Sequence, residues 1–400
     1  MTIPQNVPIT LTTIQPFVRD RLTWLAYVML AYIGFTQSML GPLMPFLRTE
    51  LRLNYTLGGF LPAALAVGLV LSGLIGDWLA RHWSRRVVFW SGAIGLATSA
   101  VLLGLSHRFE LALIAVLGMG FGSSLTQVMI QALLADQHAG RRAIAFTEAN
   151  VAASLSASLT PLVIGSLQAA GVGWRAISVP VVLFLTLLAG TFHRQSIPDG
   201  AAARTQSVED RGRLPFSFWL YWIVLFLVVA VEMSMAVWGT EFLSSVAGLS
   251  RVDAALGFSA FPAAMLIGRI AGSRFTRRWS SLTLLLIALV VTLIGFPLFW
   301  LARLATLNII GLFITGLGIA NLYPLTLSVA IGLAADQSNK ASARVSLGVG
   351  TALLTAPLLL GWLADRLGLQ SAYGMVIVLM VAACAIVMNN RWLSERRVAS

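Results

Sequence analysis

Stretches of roughly 20 predominantly apolar residues recur along nearly the whole chain, and each is long enough to cross a bilayer as a helix. Of the 400 residues, 58% are hydrophobic and 10% are charged, whereas soluble globular proteins carry about 25% charged residues. A soluble fold could not bury so much apolar surface. A membrane β-barrel would show alternating segments of about ten residues, and the sequence has none. We therefore predict an all-α integral membrane bundle.

The apolar runs divide into twelve predicted transmembrane helices. The longest polar connection, 194–216, separates a first half, 1–193, from a second half, 217–400. Arginines concentrate in the loops on the side of both termini, which indicates that both termini face the cytoplasm. The predicted spans are 23–47, 57–79, 86–106, 110–135, 142–168, 174–193, 217–243, 254–273, 282–303, 306–334, 341–364 and 371–390.

The two halves resemble each other in sequence. A repeat that spans six helices keeps their direction, so we expect two parallel six-helix halves related about the membrane normal. Transporters built in this way place their binding site between the halves. The matching stretches are PAAL at 62–65 with PAAM at 262–265, 116–137 with 316–337, Phe46-Leu47 with Phe242-Leu243, and Pro161-Leu162 with Pro357-Leu358.

The loop between the second and third predicted spans reads GLIGDWLARHWSRR, residues 73–86. It resembles the signature loop of the major facilitator superfamily, with Gly73, Asp77 and Arg81 at the family's spacings and Trp78 in place of an arginine. The resemblance extends to the twelve spans, the central linker and the repeat. It implies the fold of that superfamily, two pseudo-symmetric six-helix halves, and secondary transport by alternating access.

The same resemblance implies a gating role for Gly73, Asp77 and Arg81. An acid at the cytoplasmic end of a span can pair with an arginine or face a helix N-terminus of the other half. The alternative for Asp77 is a solvated acid that helps to set the topology. A degraded copy of the loop, residues 268–278, has Gly272 in place of the acid.

Glu232 is the only charged residue between Arg213 and Glu241 and lies near the middle of the seventh predicted span. An acid at the bilayer centre costs about 2.5–3.5 kcal/mol on insertion scales, so it usually faces a cavity and marks a substrate or proton path. A carboxylic acid in a dry setting keeps its proton to higher pH, so Glu232 could exchange a proton near neutrality. We predict that Glu232 couples transport to protons; the alternative is a protonated acid packed against a neighbouring helix.

Six further side chains within the predicted spans are candidate substrate contacts. The two glutamines of the fourth span are four residues apart and share a helix face. For the amides, hydrogen bonding between helices is the alternative, and for the tryptophan a place at the membrane interface is the alternative. The candidates are Gln37, Gln127, Gln131, Asn150, Trp238 and Asn321.

Three more charged residues are candidate gating groups. Glu148 and Arg344 occupy matching positions in the two halves, so they could pair across the cytoplasmic side of a cavity. The alternative is that both extend to the membrane interface. Arg269 in the eighth span is expected either to extend to the interface or to balance an acid in the cavity.

Several classes of protein are excluded or disfavoured. The chain has no GxxxxGK[ST] phosphate loop, no nucleophile elbow and no metalloprotease helix. Its histidines are scattered and Cys384 is its single cysteine, so no metal site and no cofactor are predicted. The formal charge of +12 lies in short loops, and nucleic-acid binding is not expected. We expect a protein that is not an enzyme.

The sequence therefore predicts a secondary transporter of a small molecule in a bacterial inner membrane. We expect a monomer that works by rocker-switch alternating access and is driven by protons or another ion. A central Glu followed by Trp in the seventh span is faintly similar to sugar permeases of the fucose type, which slightly favours a sugar or related polar metabolite. A proton-coupled exporter of drugs or lipids is the alternative, and a membrane receptor or enzyme without transport is the alternative from another class.

Overall fold

The computed structural model describes residues 17–138, 141–198, 214–276, 278–334 and 337–399. These residues are almost entirely helical, and no strand occurs among them. The helices are α1 Arg21–Gln37, α2 Leu40–Glu50, α3 Tyr55–His82, α4 Arg85–Leu105, α5 Phe109–Gln137, α6 Arg142–Ala169, α7 Ser178–Phe192, α8 Phe216–Ser245, α9 Arg251–Phe258, α10 Ala260–Phe275, α11 Ser281–Leu301, α12 Ala305–Gly332, α13 Ser338–Leu367, α14 Leu369–Ala372 and α15 Gly374–Ala399.

Within this described part of the chain, eleven helical segments are long and apolar enough to cross a membrane. The remaining predicted span is the first, which is broken into α1 of 17 residues and α2 of 11 residues. The eighth span is likewise made of two helices, α9 and α10, which together form one segment, Arg251–Phe275. The prediction of an all-α membrane bundle with two six-helix halves is confirmed.

Prolines explain where two of these spans are interrupted. A proline inside a helix lacks the N–H that would bond to the fourth residue before it, and its ring crowds that residue's carbonyl. Pro42 stands four residues after Ser38, where α1 ends, and Pro262 stands four residues after Phe258, where α9 ends. Both breaks therefore coincide with the carbonyl that a proline leaves without its helical partner.

The two halves repeat the same packing. In the first half α1 packs on α6, and α5 packs on both α3 and α4; in the second half α8 packs on α13, and α12 packs on both α10 and α11. These are the pairings expected if the first and seventh spans, and those that follow them, are equivalent. The internal repeat seen in the sequence is thus a structural repeat.

The bundle has two ends, which differ in the loops they hold. The linker end is the end where α7 finishes and α8 begins, and it also holds the α3–α4 and α5–α6 connections. The far end is the opposite one, where α2 meets α3 and where α8 meets α9. Residues 199–213 of the predicted linker, and the side chains of Asp77 and Arg81, lie outside the described part of the structure.

Candidate functional site

A cavity of about 390 Å³ lies between the two halves. A volume of this size fits a small organic molecule. Most of its wall is apolar, with a few polar side chains. Its lining comprises Gly34, Gln37, Ser38, Leu40, Gly41, Pro62, Leu65, Leu69, Asn150, Ala153, Ser154, Ala157 and Pro161 from the first half, and Glu232, Met233, Ala236, Val237, Phe258, Phe261, Pro262, Met265, Arg269, Leu353 and Pro357 from the second.

Residues that match in the sequence repeat line this cavity from both halves. Each matched pair contributes one wall residue from each half, so the pseudo-symmetry axis passes through or beside the cavity. Prolines recur in these pairs, and they lie within or near the start of α3, α6, α10 and α13. The pairs are Pro62 with Pro262, Leu65 with Met265, and Pro161 with Pro357.

The charge in the cavity comes from the second half. Arg269 and Glu232 are the charged side chains among the described lining residues. The Arg269 Nη2 atom lies 3.8 Å from the Glu232 Oε1 atom, and the side chains are 46% and 20% exposed. At this distance the two side chains form an ion pair but no hydrogen bond, because good N–H···O bonds are about 2.7–3.2 Å long.

Arg269 also reaches across to the first half. Its Nη1 atom donates a hydrogen bond of 2.8 Å to the Ser154 hydroxyl of α6. The guanidinium therefore contacts both halves at the level of the cavity. The positions that match Glu232 and Arg269 in the first half hold Thr36 and Leu69, so the charges break the symmetry of the repeat.

Two of the predicted substrate contacts line the cavity, and both amides are already engaged with the protein. Gln37 donates from Nε2 to the Ser123 hydroxyl of α5 at 2.9 Å. Asn150 donates from Nδ2 to the Phe146 carbonyl within its own helix at 2.8 Å. Each retains part of its hydrogen-bonding capacity, but neither points a free amide at a ligand.

The structure does not bring the other four candidates into the lining. Gln127 is half-buried and Gln131 exposed on α5. Trp238 is fully buried, donates from Nε1 to the Pro357 carbonyl at 2.9 Å, and packs with its ring centroid 5.7 Å from that of Tyr55. It therefore acts as packing between α8, α3 and α13.

Asn321 packs against the start of the degraded copy of the signature loop, at Gly268 and Gly272. Its Nδ2 atom donates to the Gly268 carbonyl at 2.7 Å. A Cβ added at Gly272 would lie 2.2 Å from the Asn321 Oδ1 atom. Close packing of α10 against α12 therefore requires glycine at position 272.

The predicted gating pair of Glu148 and Arg344 does not form in this structure. Glu148 instead accepts two hydrogen bonds from Arg19, at 2.8 and 2.6 Å, and one from the Tyr27 hydroxyl at 3.0 Å. All three residues belong to the first half, at the linker end, and this contact raises the pKa of the Arg19 guanidinium. Arg344 is exposed on α13.

The far end holds an ion pair that sequence reasoning missed. Arg48 of α2 pairs with Glu241 of α8, with side-chain exposures of 14% and 7%. The Arg48 guanidinium also lies 3.5 Å from the centre of the Tyr55 ring. At this separation a cation is attracted to the face of an aromatic ring. The signal was present in the repeat, because Phe46-Leu47 and Phe242-Leu243 match and these charges stand next to them.

A second contact between the halves at the far end involves Asp365, in the last turn of α13. It accepts hydrogen bonds from the backbone N–H groups of Tyr55 and Thr56 at 2.8 and 2.7 Å. An acid at a helix N-terminus satisfies free N–H groups and the positive end of the helix dipole. Asp365 therefore caps α3 from the other half.

Glycines let the halves approach closely at the far end. A Cβ added at Gly41 would lie 2.0 Å from the Ala236 carbonyl, and one at Gly361 would lie 2.4 Å from the Tyr55 carbonyl. At Gly73 and Gly350, towards the linker end of the same helices α3 and α13, an added Cβ would meet nothing within 4 Å. The two helices touch at the far end and diverge towards the linker end.

The comparisons with known proteins agree with this architecture. The family model described as Major Facilitator Superfamily matches residues 26–334, and the chain belongs to that superfamily. An uncharacterized MFS-type transporter of Yersinia pestis is 25% identical over 389 residues, covering 93% of this chain and 96% of that protein. The cyanate transport protein CynX of Escherichia coli K12 is 24% identical over 305 residues, covering 74% of this chain and 76% of that protein.

Solved structures share the fold. The nucleoside transporter NupG superposes with a TM-score of 0.70 at 14% identity, covering 91% of this chain and 98% of that one. Identity at this level shows a common architecture and says nothing about a common substrate.

Proposed function

We propose that this protein is a secondary transporter that moves a small molecule by rocker-switch alternating access. The observation that carries the proposal is the cavity between the halves, which holds a carboxylate and a guanidinium and is sealed at the far end. Two pseudo-symmetric bundles that touch at one end and diverge at the other can exchange these arrangements as rigid bodies. Breaking the contacts between the halves at the far end would then open the same cavity to the far-end side of the membrane.

The linker end is proposed to face the cytoplasm of a bacterial cell. The support is the concentration of arginine there, which is the bias of cytoplasmic loops. The conformation described here would then be open inward and closed outward. A monomer is proposed for this cycle, since both of the six-helix halves that alternating access needs lie in one chain.

Glu232 is proposed to couple transport to protons. No described residue donates a hydrogen bond to it, and the groups that face it are Arg269 of α10 and, through electrostatic interaction, Tyr323 of α12. An acid with so few partners can change its protonation without breaking a hydrogen-bond network. It stands beside the Arg269 guanidinium, which contacts both halves, so its charge can bias which arrangement is favoured.

The cavity favours an amphipathic substrate over a sugar. A sugar requires many free hydrogen-bonding groups, and the protein itself takes up part of the capacity of Gln37 and Asn150. The apolar walls, among them Leu65, Met233 and Phe261, suit an apolar body instead. This supports the apolar substrate class of the drug or lipid alternative over a sugar, whereas a receptor or enzyme would not need the two diverging halves.

Alternating access can be tested with a cysteine in the cavity wall. In a background with Cys384→Ser, the variant Ala157→Cys is reconstituted in oriented vesicles and treated with a membrane-impermeant thiol reagent from each side. We expect fast labelling from the linker-end side. Labelling from the far side should be slower, at a rate set by the fraction of molecules that are open at the far end. Equal labelling from both sides under every condition would overturn the proposal.

Proton coupling can be tested in the same background. We expect the ratio of labelling rates from the two sides to change with pH, and Glu232→Gln to abolish this change. Glu110→Gln, at the far-end start of α5 and outside the cavity, is the matched control because it removes an acid without touching the site. A ratio that still varies with pH in Glu232→Gln would remove Glu232 from the coupling role.

A further inference from the structure

The cavity holds a guanidinium that is only partly used. Arg269 has five N–H donors, and among the described residues one hydrogen bond, to Ser154, engages them. The side chain is 46% exposed, and its position in the lining turns this exposure to the cavity. A planar fork of free donors at this place matches the geometry of a carboxylate, which it can bind through two parallel hydrogen bonds.

Glu232 neutralises Arg269 without occupying its donors. At 3.8 Å the carboxylate is close enough for attraction but too far for a hydrogen bond. A bound carboxylate could therefore take the donors while the protein retains both side chains in place. Arg269 with two carboxylates, that of Glu232 and that of the ligand, would leave a net negative charge in a mostly apolar cavity. Such a charge is costly, so one of the carboxylates is expected to take up a proton.

We propose that the substrate is a small amphipathic monocarboxylate, that Arg269 binds its carboxylate, and that Glu232 takes up one proton when it binds. This rests on the transport function proposed above and names its substrate class. In the occupied state the guanidinium is positive, the substrate negative and Glu232 neutral. The loaded site therefore has the same net charge as the empty site, and one proton accompanies each substrate. The apolar body of the molecule lies against Leu65, Leu69 and Phe261.

Asymmetry of the repeat supports this assignment. Leu69 stands at the position that matches Arg269 in the first half, and Thr36 stands at the position that matches Glu232. The cavity thus has one anion-binding group and one proton-accepting group, both in the second half. A single carboxylate with a single proton fits this set, and a dicarboxylate lacks a second cation among the described lining residues.

The test compares matched ligands on the purified full-length protein. The probes are benzoate, phenylacetate and hexanoate, each paired with its neutral amide and with an amine of similar size. Binding is measured by thermal shift and by calorimetry in buffers of different ionisation enthalpy, which reports proton uptake. We expect at least one carboxylate to bind about tenfold or more tightly than its amide, with an uptake near one proton. If no carboxylate exceeds its amide, the inference is overturned.

Two substitutions separate the roles. Arg269→Gln should abolish the preference for the carboxylate, whereas Arg303→Gln, which removes an exposed cation outside the lining, should leave it unchanged. Glu232→Gln should retain or strengthen carboxylate binding and eliminate proton uptake. If Arg269→Gln proves unstable because Glu232 is left unpaired, the double variant with Glu232→Gln restores neutrality and should still lack the preference; a retained preference there contradicts the role of Arg269.

These results are distinguishable from failure of the transport function. Labelling of Ala157→Cys reports alternating access without any ligand. Normal alternating access together with equal binding of carboxylates and amides would remove the substrate class alone. Equal labelling of Ala157→Cys from both sides would remove the transport proposal, whatever the binding data show.

Discussion

At the far end of the bundle the two halves are joined by a buried ion pair, a helix cap and closely packed glycines, whereas at the linker end the equivalent stretches of α3 and α13 stand apart. Ion pairs occur at both ends but differ in kind. Arg48 and Glu241 join different halves and are nearly buried, while Arg19 and Glu148 belong to one half and are 47% and 30% exposed. The far end is therefore built to hold the halves together, and the linker end is stabilised within each half.

This contrast indicates how the same two halves could be arranged either closed at the far end or closed at the linker end. The contacts that close the far end are few and local, so they can be lost as a group when the halves rotate. Contacts within a half, such as those of α5 with α3 and α4, need not change. The interactions that resist separation of the halves therefore lie at the far end, and substitutions can test them one at a time.

The largest effect is expected from breaking the buried ion pair. Arg48→Ala leaves the Glu241 carboxylate unpaired, and removal of one partner from a buried pair costs about 3–5 kcal/mol. We expect a clear fall in the midpoint of thermal unfolding and faster labelling of Ala157→Cys from the far side. The exposed pair supplies the control, because Arg19→Ala should cost at most about 1 kcal/mol.

The double variant of Arg48→Met with Glu241→Leu sharpens this comparison. Apolar residues of similar volume often replace a buried pair without loss of stability. We expect the double variant to recover most of the thermal stability that Arg48→Ala loses. A double variant as unstable as the single one would mean that the charges serve more than mutual neutralisation.

An intermediate effect is expected from glycines on one helix. Gly361→Ala places a Cβ against the Tyr55 carbonyl and forces α13 away from α3, and overpacking of this kind costs about 1–3 kcal/mol. Gly350→Ala, on the same helix towards the linker end, meets open space and should raise helix stability by up to about 1 kcal/mol. Thermal unfolding should therefore shift in opposite directions; a shift in the same direction would contradict the divergence of the helices.

The smallest effect is expected from the helix cap. Asp365→Asn keeps an acceptor at the α3 N-terminus but removes the charge, which is worth about 0.3–1 kcal/mol at low salt. We expect a small fall in the unfolding midpoint that fades as salt is added. Asp253→Asn, whose carboxylate contacts Ser250 within its own helix start, controls for loss of an acid at the far end without loss of a contact between halves. If both variants changed the labelling of Ala157→Cys from the far side equally, the contact of Asp365 with α3 would not be what holds the halves together.

Much of the architecture could be predicted from the sequence. Apolar runs near the thickness of a bilayer leave the backbone no choice but helices, and the repeat between residues such as Pro161 and Pro357 indicates two related halves. The isolated charge at Glu232 indicated a cavity for the same physical reason, because a buried acid needs one. Gln37, Asn150 and Arg269 also line that cavity.

The rest depended on how helices turn and tilt against each other. Trp238 follows Glu232 by less than two turns, yet it is buried in packing because its rotation about α8 points it towards α13. Glu148 and Arg344 match in the repeat but stay apart because the halves diverge at that end. Arg48 and Glu241 lie far apart in the chain; the repeat draws attention to both positions, but only the packing of α2 against α8 makes them partners.

The sequence by itself determined that the chain crosses the membrane in two matching sets of helices, because the cost of exposing apolar side chains to water and backbone groups to lipid depends only on local composition and length. The tertiary structure decided which end is closed and which polar groups meet. Those outcomes depend on distances of a few ångströms between residues remote in the chain, and hydrogen bonds and ion pairs lose their strength beyond such distances.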